Sequence, residues 1–246
     1  MATRRSSAAV APAARTDSRR MHFVYLHGFG SSPDSSKARF LSERLEAHGA
    51  ALHCPDLNEP DFATLTVSRM VDQVDALLAG LGPGPSALIG SSLGALVALH
   101  VAERQVLRGA SRSAHGGSIA RLVLLAPALT FGADGMKHLG PDGLARWRVT
   151  DRLDVEHHAE GRVRQVHYEL YTDAQRYDSF TTTMTLPTLI LQGRRDAIVD
   201  PAMVEQFAAG RDQVALTLLD DDHQLKADLS RVWRDIALFL GVALED

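Results

Sequence analysis

The chain has 246 residues, 45% of them hydrophobic and 23% charged, a globular composition that excludes a disordered or collagen-like chain. Its formal charge of −4 offers no basic field to attract nucleic acid or an anionic membrane surface, so the expected partner is a small molecule. Cys54 is the only cysteine, which excludes an intrachain disulfide, and no apolar run reaches the roughly 18 residues of a membrane span.

Met1 to Arg20 is rich in Ala, Ser and Arg and lacks the apolar stretch of a secretory signal. It is read as a disordered tail rather than an organellar transit peptide, leaving one domain over residues 21–246. The solitary cysteine fits a reducing compartment, hence a cytoplasmic location. Nothing in the composition indicates an oligomeric state.

His22 to Leu26 is a short apolar run halted by His27-Gly28, the pattern of a buried strand stopped by a turn. Ala50 to Cys54 ends the same way at Pro55, Ser86 to Ile89 at Gly90, Leu122 to Ala126 at Pro127, and Thr188 to Leu191 before Gly193. Val214 to Leu219 runs into Asp220, Asp221 and Asp222 and makes a sixth. Short, almost continuously apolar strands belong to a parallel sheet covered on both faces.

Helical spacing occupies the gaps: Lys37 to His48, Leu65 to Ala79, Leu93 to Arg104, Ala202 to Ala209 and Lys226 to Leu240. In the first of these, Phe40, Leu41, Leu45 and Ala47 are expected on the buried side, with Arg39, Glu43, Arg44 and Glu46 in water. Strand and helix alternate, which predicts an α/β fold: a mainly parallel sheet of about six strands with helices on both faces. Thr130 to Thr185 breaks the rhythm, being too long for a crossover and rich in Gly, His, Arg and Asp. It is read as a small cap insertion at the carboxyl edge of the sheet, where open α/β folds bind ligands. Within it, the periodicity of Val163 to Tyr171 fits a helix and a strand equally.

Gly90-Ser91-Ser92-Leu93-Gly94 matches G-x-S-x-G and lies between a strand and a helix, the context of a nucleophile elbow. Glycines two residues to either side let strand and helix approach closely only if Ser92 is central, so Ser91 is a turn residue. A serine hydroxyl needs a base, and the base an orienting acid. On this scaffold the acid follows a late strand and the histidine the last one, which selects Asp196 and His223. Asp200, before Pro201, reads instead as a helix cap. Asp220 to Asp222 with His223 lack the spacing of a metal site, and the chemistry calls for neither metal nor cofactor. His27-Gly28-Phe29-Gly30 follows the first strand, where the oxyanion loop belongs. The backbone amides of Phe29 and Leu93 are the expected oxyanion donors, with His27 bracing the loop and Gly28 and Gly30 admitting the substrate.

The segment from Tyr25 to Ala38, YLHGFGSSPDSSKA, together with Gly90 to Gly94, resembles the small bacterial YqiA/YcfP-type esterases of the α/β-hydrolase superfamily. The resemblance runs from about residue 21 to the end and is weak across Thr130 to Thr185, which looks longer than in those esterases. It implies an α/β-hydrolase fold and hydrolysis of simple acyl esters, with the family's Ser-Asp-His pattern on Ser92, Asp196 and His223. Dehalogenases and epoxide hydrolases of this fold carry an aspartate where Ser92 stands, which disfavours their chemistry here. The expected function is hydrolysis of acyl esters or thioesters through an acyl-enzyme. Acyl transfer by the same residues and a non-catalytic binding role are the alternatives. Cys54 reads as an inert strand-end thiol, and Gly82-Pro83-Gly84-Pro85 as a turn rather than a phosphate loop. His157, His158, Trp147, Tyr168, Tyr171 and Tyr177 line a pocket or pack the cap; the pattern does not separate the two.

Overall fold

In the computed structural model, residues 21–109, 118–133, 136 and 139–244 are described; the expected tail, Met1 to Arg20, lies outside them. Six strands form a parallel sheet: β1 (His22–Leu26), β2 (Leu52–His53), β3 (Ser86–Ser91), β4 (Ile119–Leu125), β7 (Thr188–Gly193) and β8 (Val214–Leu219). Their order across it is β2-β1-β3-β4-β7-β8. The helices α1 (Ser36–Ala47), α2 (Val67–Gly80), α3 (Leu93–Arg108), α6 (Pro201–Ala208) and α7 (Leu229–Leu240) connect or close them. Each expected strand and crossover helix is present, with shifted ends. β2 keeps only Leu52 and His53 of Ala50 to Cys54, because it is an edge strand that pairs with β1 alone, through Phe23 and Val24.

The two-residue period of the strands sorts their side chains between two cores. Phe23, Tyr25, Ala87, Ile89, Val123, Leu125, Leu189 and Leu191 face one side, where Leu41 and Leu45 of α1 and Trp233 and Ile236 of α7 cover them. Val24, Leu26, Leu88, Leu122, Leu124 and Ile190 face the other, beneath α2, α3 and Phe207 of α6. α2 shows how sequence sets a helix: Thr66 accepts a hydrogen bond from the Arg69 amide as N-cap, and Val67, Met70, Val71, Val74 and Leu78 form one buried stripe. Such a cap contributes about 1 kcal/mol, the apolar stripe considerably more. In α1 the buried positions are Lys37, Ala38, Leu41 and Leu45. Ala47 is exposed, contrary to expectation, because it lies in the last turn, where the chain leaves the sheet for Gly49.

Between β4 and β7 the chain forms α4 (Gly140–Thr150), a separate antiparallel hairpin of β5 (Leu153–His157) and β6 (Arg162–Val166), and α5 (Glu169–Ala174). Val163 to Tyr171 is thus strand in its first half and helix in its second. Trp147 anchors α4, donating from Nε1 to the Val166 carbonyl at 3.0 Å and packing edge-on to Tyr168. Asp173 ties α5 to α2, accepting from the Ser68 amide at 2.7 Å and the Ser68 hydroxyl at 2.5 Å.

Two glycines separate packing from propensity. A Cβ on Gly94 would lie 2.1 Å from the Leu26 carbonyl oxygen and 2.6 Å from that of His27, backbone atoms that cannot yield. Gly94→Ala is expected to cost at least about 3 kcal/mol by overpacking. Gly80 is the last residue of α2, and a Cβ added to it would meet nothing within 4 Å, so Gly80→Ala should stabilise by about 0.5–1 kcal/mol. Urea unfolding of both variants reads the opposite signs.

Candidate active site

Ser92 links β3 to α3 with φ 54° and ψ −115°, a conformation rarely adopted by residues other than glycine. Close packing over-determines it. A Cβ on Gly90 would stand 2.4 Å from the Gly94 carbonyl oxygen, so strand and helix cross in van der Waals contact with no room for a wider turn. The Ser92 amide donates to Leu125 at 2.9 Å, and the Ser92 carbonyl accepts from Ala95 at 3.0 Å and Ala128 at 3.2 Å. With its backbone fixed, the side chain projects beyond the carboxyl end of the sheet, at the point where strand order reverses between β1 and β3.

The loops after β7 and β8 meet there. Gly193 makes the meeting possible, since a Cβ on it would lie 2.4 Å from the Asp222 carbonyl oxygen. His223 Nε2 is 3.0 Å from Ser92 Oγ, and His223 Nδ1 is 2.8 Å from Asp196 Oδ2. An ionised carboxylate only accepts, so Nδ1 carries the imidazole proton and Nε2 is left to accept from the serine hydroxyl. The carboxylate is fixed in turn: Asp196 Oδ1 accepts from the amides of Ile198 at 2.9 Å and Val199 at 2.8 Å, while Gln192 Nε2 donates to Oδ2 at 2.9 Å. Burial alone would raise the Asp196 pKa, but the His223 contact and those two amides hold it below the ordinary carboxylate value. Asp200 caps α6 through the Ala202 amide, as the sequence suggests.

The acidic run beside His223 is spent on loop structure. Asp221 is buried and accepts from the amides of Asp222 and Ala227, Asp222 accepts from the Gln224 amide, and Asp220 pairs with Arg195. Neither the importance of Asp221 and Gln192 nor that of Gly193 is evident in the sequence, because each acts through backbone geometry or on a partner fixed only by the fold.

Gly28 lies against the serine: a Cβ there would stand 3.2 Å from the Ser92 Cβ. His27 braces this loop, its Nδ1 3.0 Å from the Gly28 carbonyl oxygen and its Nε2 accepting from the Leu57 amide at 3.0 Å. Gly30 has φ 64°, and its carbonyl accepts from the His158 amide at 2.8 Å, so the end of the β5–β6 hairpin rests on the loop. Between the two glycines, Phe29 stacks on Phe62 at 5.6 Å and meets the edge of Phe131 at 6.0 Å. The buried His157 packs edge-on against the same Phe62 at 5.2 Å. Leu93, the first residue of α3, has an amide with no intrahelical acceptor. A cleft of about 310 Å³ is lined by Leu129, Thr130, Gly132, Tyr171, Ala174 and Tyr177, and Ser92, Asp196 and His223 are not among its lining residues. Tyr171 and Tyr177 are therefore cleft residues, whereas Trp147 is core. Cys54 is half-buried, its thiol pKa pushed up to about 11 by burial and by Asp34, as an inert thiol requires.

Sheet order, crossover helices and the positions of the three loops define an α/β-hydrolase fold. The chain belongs to the uncharacterised protein family UPF0227, whose family model matches residues 22–240. Among solved structures it is similar to a candidate hydrolase from Agrobacterium vitis S4, with a TM-score of 0.77 and 23% identity over 93% of this chain and 91% of the other. It is also similar to Est1E from Butyrivibrio proteoclasticus with bound ferulic acid, with a TM-score of 0.72 and 19% identity over 89% and 87% of the two chains. Alpha/beta hydrolase domain-containing protein 10 from mouse gives a TM-score of 0.70 and 22% identity over 87% of each chain. No curated protein matches the sequence. Among the described residues no helix is long and apolar enough to cross a membrane.

The depressed pKa of Asp196 has a pH signature. A carboxylate whose folded pKa lies below its unfolded value of about 3.9 adds stability that is full above that value and is lost as pH falls through the folded one. Asp196→Asn should therefore melt below the wild type from pH 5 to 8, with the gap closing below pH 4. Thermal melts across that range check it; a gap that is constant down to pH 3 contradicts it.

Proposed function

We propose that the protein is a serine hydrolase of small carboxylic esters or thioesters, working through an acyl-enzyme with Ser92 as nucleophile, His223 as general base and Asp196 as its orienting acid. The observation that carries this reading is the continuous hydrogen-bonded chain from Ser92 Oγ through both imidazole nitrogens to Asp196. His223 takes the hydroxyl proton at Nε2 as Ser92 Oγ attacks the acyl carbon, and the imidazolium formed is stabilised by the carboxylate at Nδ1. The same proton then goes to the leaving alcohol or thiol. Water enters, is deprotonated by His223 and attacks the acyl carbon; the bond to Ser92 Oγ breaks, His223 returns the proton to that oxygen, and the acid leaves. No step calls for a metal or cofactor.

The amides of Phe29 and Leu93 are the donors we assign to the oxyanion. Support comes from Leu93 at the free N-terminus of α3 and from Gly28 packed against the Ser92 side chain. We further propose that residues 130–185 act as a cap, since their hairpin rests on Gly30 and their α5 lines the cleft. The fold is shared with Est1E, solved with ferulic acid, and with a monoacylglycerol lipase of Paleococcus ferrophilus at a TM-score of 0.62, which is in keeping with ester chemistry.

Turnover of p-nitrophenyl esters of graded chain length tests the reading. Ser92→Ala and His223→Ala should each lower kcat by at least about 10³-fold, and Asp196→Asn by about 10²–10⁴-fold, with little change in KM. Wild-type turnover that survives Ser92→Ala, or no turnover of any ester, would overturn it.

A further inference from the structure

Lys37 is the only buried lysine among the described residues, 7% exposed, at the second position of α1 on the face shared with Leu41 and Leu45. Its ammonium donates to Ser91 Oγ at 2.8 Å. Ser91 is itself buried, ends β3 and is followed by Ser92. The Tyr25 phenol of β1 lies against the same Ser91 and against Ser35, the N-cap of α1. Burial pushes the Tyr25 pKa up to about 12, so the phenol stays neutral and supplies no counter-charge. The charged groups that act on the ammonium come from the loops after β7 and β8: the Lys226 cation, and the carboxylates of Asp221, Asp196 and Asp222. A cation is thus buried beneath the elbow, between the turn that holds Ser92 and the loops that carry Asp196 and His223.

Placed there, an ammonium is a poor stabiliser. It has given up its hydration for a hydrogen bond to a neutral hydroxyl, in a helix stripe where an apolar residue would pack at less cost. We propose that Lys37 is a positioning residue for the Ser92 reaction, fixing the strand end through Ser91 and, through its charge, favouring the ionised Asp196 carboxylate that orients His223. The inference rests on the hydrolase reading above. The first effect is geometric: the Ser91 side chain is held in place, and with it the backbone from which Ser92 departs. The second is electrostatic. The ammonium interacts with the Asp196 carboxylate and stabilises its ionised form, the one that accepts from His223 Nδ1.

Burial, the larger influence, and Lys226 push the Lys37 pKa down from 10.5 to about 8 against the pull of the three carboxylates. Between these values the unfolded chain holds the proton and the folded chain does not, so stability rises with pH across that window. Removing the amine should accordingly stabilise the fold most below pH 8 and bring no gain above about pH 10.5.

The test uses the full chain and a p-nitrophenyl ester. Lys37→Met is expected to melt at or above the wild-type temperature at pH 7 while kcat/KM falls of the order of tenfold, the scale of one charge interaction across a partly buried site. The acid limb of its kcat/KM profile should move to higher pH, and the wild-type decline above about pH 8 should be missing. Ser91→Ala, which keeps the charge and removes its acceptor, should lower kcat without moving the acid limb. A Lys37→Met profile that superimposes on the wild type in both limbs overturns the proposal whatever its melting temperature. Should that variant not fold, a wild-type kcat/KM that stays level from pH 8 to 10.5 does the same. Activity insensitive to Ser92→Ala sinks the hydrolase reading itself, whereas Ser92-dependent activity with unmoved limbs sinks only the role of Lys37.

Discussion

The tight crossing of β3 and α3 sets everything else at the carboxyl edge of the sheet. Gly90 and Gly94 bring strand and helix into backbone contact, and Gly94 also seats α3 against the end of β1. That contact leaves the linking residue no relaxed conformation, so Ser92 takes a positive φ and turns its side chain out of the sheet. The strain is held by the buried strands on either side, whose hydrogen bonds to the turn come from β4 and the loop after it. The Ser92 side chain thus owes its position to backbone packing between strand and helix.

Asp196 and His223 are placed by a second close approach, that of the loops after β7 and β8 at Gly193. Two backbone amides and Gln192 hold the Asp196 carboxylate, Asp196 sets the tautomer of His223, and Asp221 folds the loop on which His223 stands. The buried Lys37 ammonium donates to Ser91 at the end of β3 and interacts with the carboxylates of Asp196, Asp221 and Asp222 on these loops. The site is therefore best described as three loop ends clamped by backbone contacts over a buried positive charge.

Much of this is legible in the sequence, and the limits are instructive. Strand runs such as His22 to Leu26 and Val214 to Leu219 read cleanly because both faces of a parallel sheet are buried, and the glycines of G-x-S-x-G read cleanly because close approach leaves few alternatives to glycine. The order of strands along the chain is enough to single out Asp196 and His223 as neighbours of Ser92 in space, and to leave Asp200 as a cap. Segment 130–185 is opaque. α4 buries only Trp147, so it has no apolar stripe to detect; β5 alternates exposed acids with half-buried residues over only five positions, and β6 breaks the alternation by leaving Val163 exposed. Lys37 escapes for a different reason. It stands four residues before Leu41 and eight before Leu45, on the apolar face of α1, but a lysine at the start of a helix passes for a solvated residue unless that spacing is followed. Ala47 misleads the other way, since helical periodicity does not reveal where the helix leaves the sheet.

The central claim is that Ser92, alone among the serines, is an activated nucleophile. Its most direct test is reaction of the native protein with a fluorophosphonate, followed by peptide mass spectrometry to locate the adduct. The account predicts one phosphonyl group per chain, on Ser92 and nowhere else, with none on heat-denatured protein. An unmodified native chain, or an adduct on Ser91 or any other residue in place of Ser92, would contradict it.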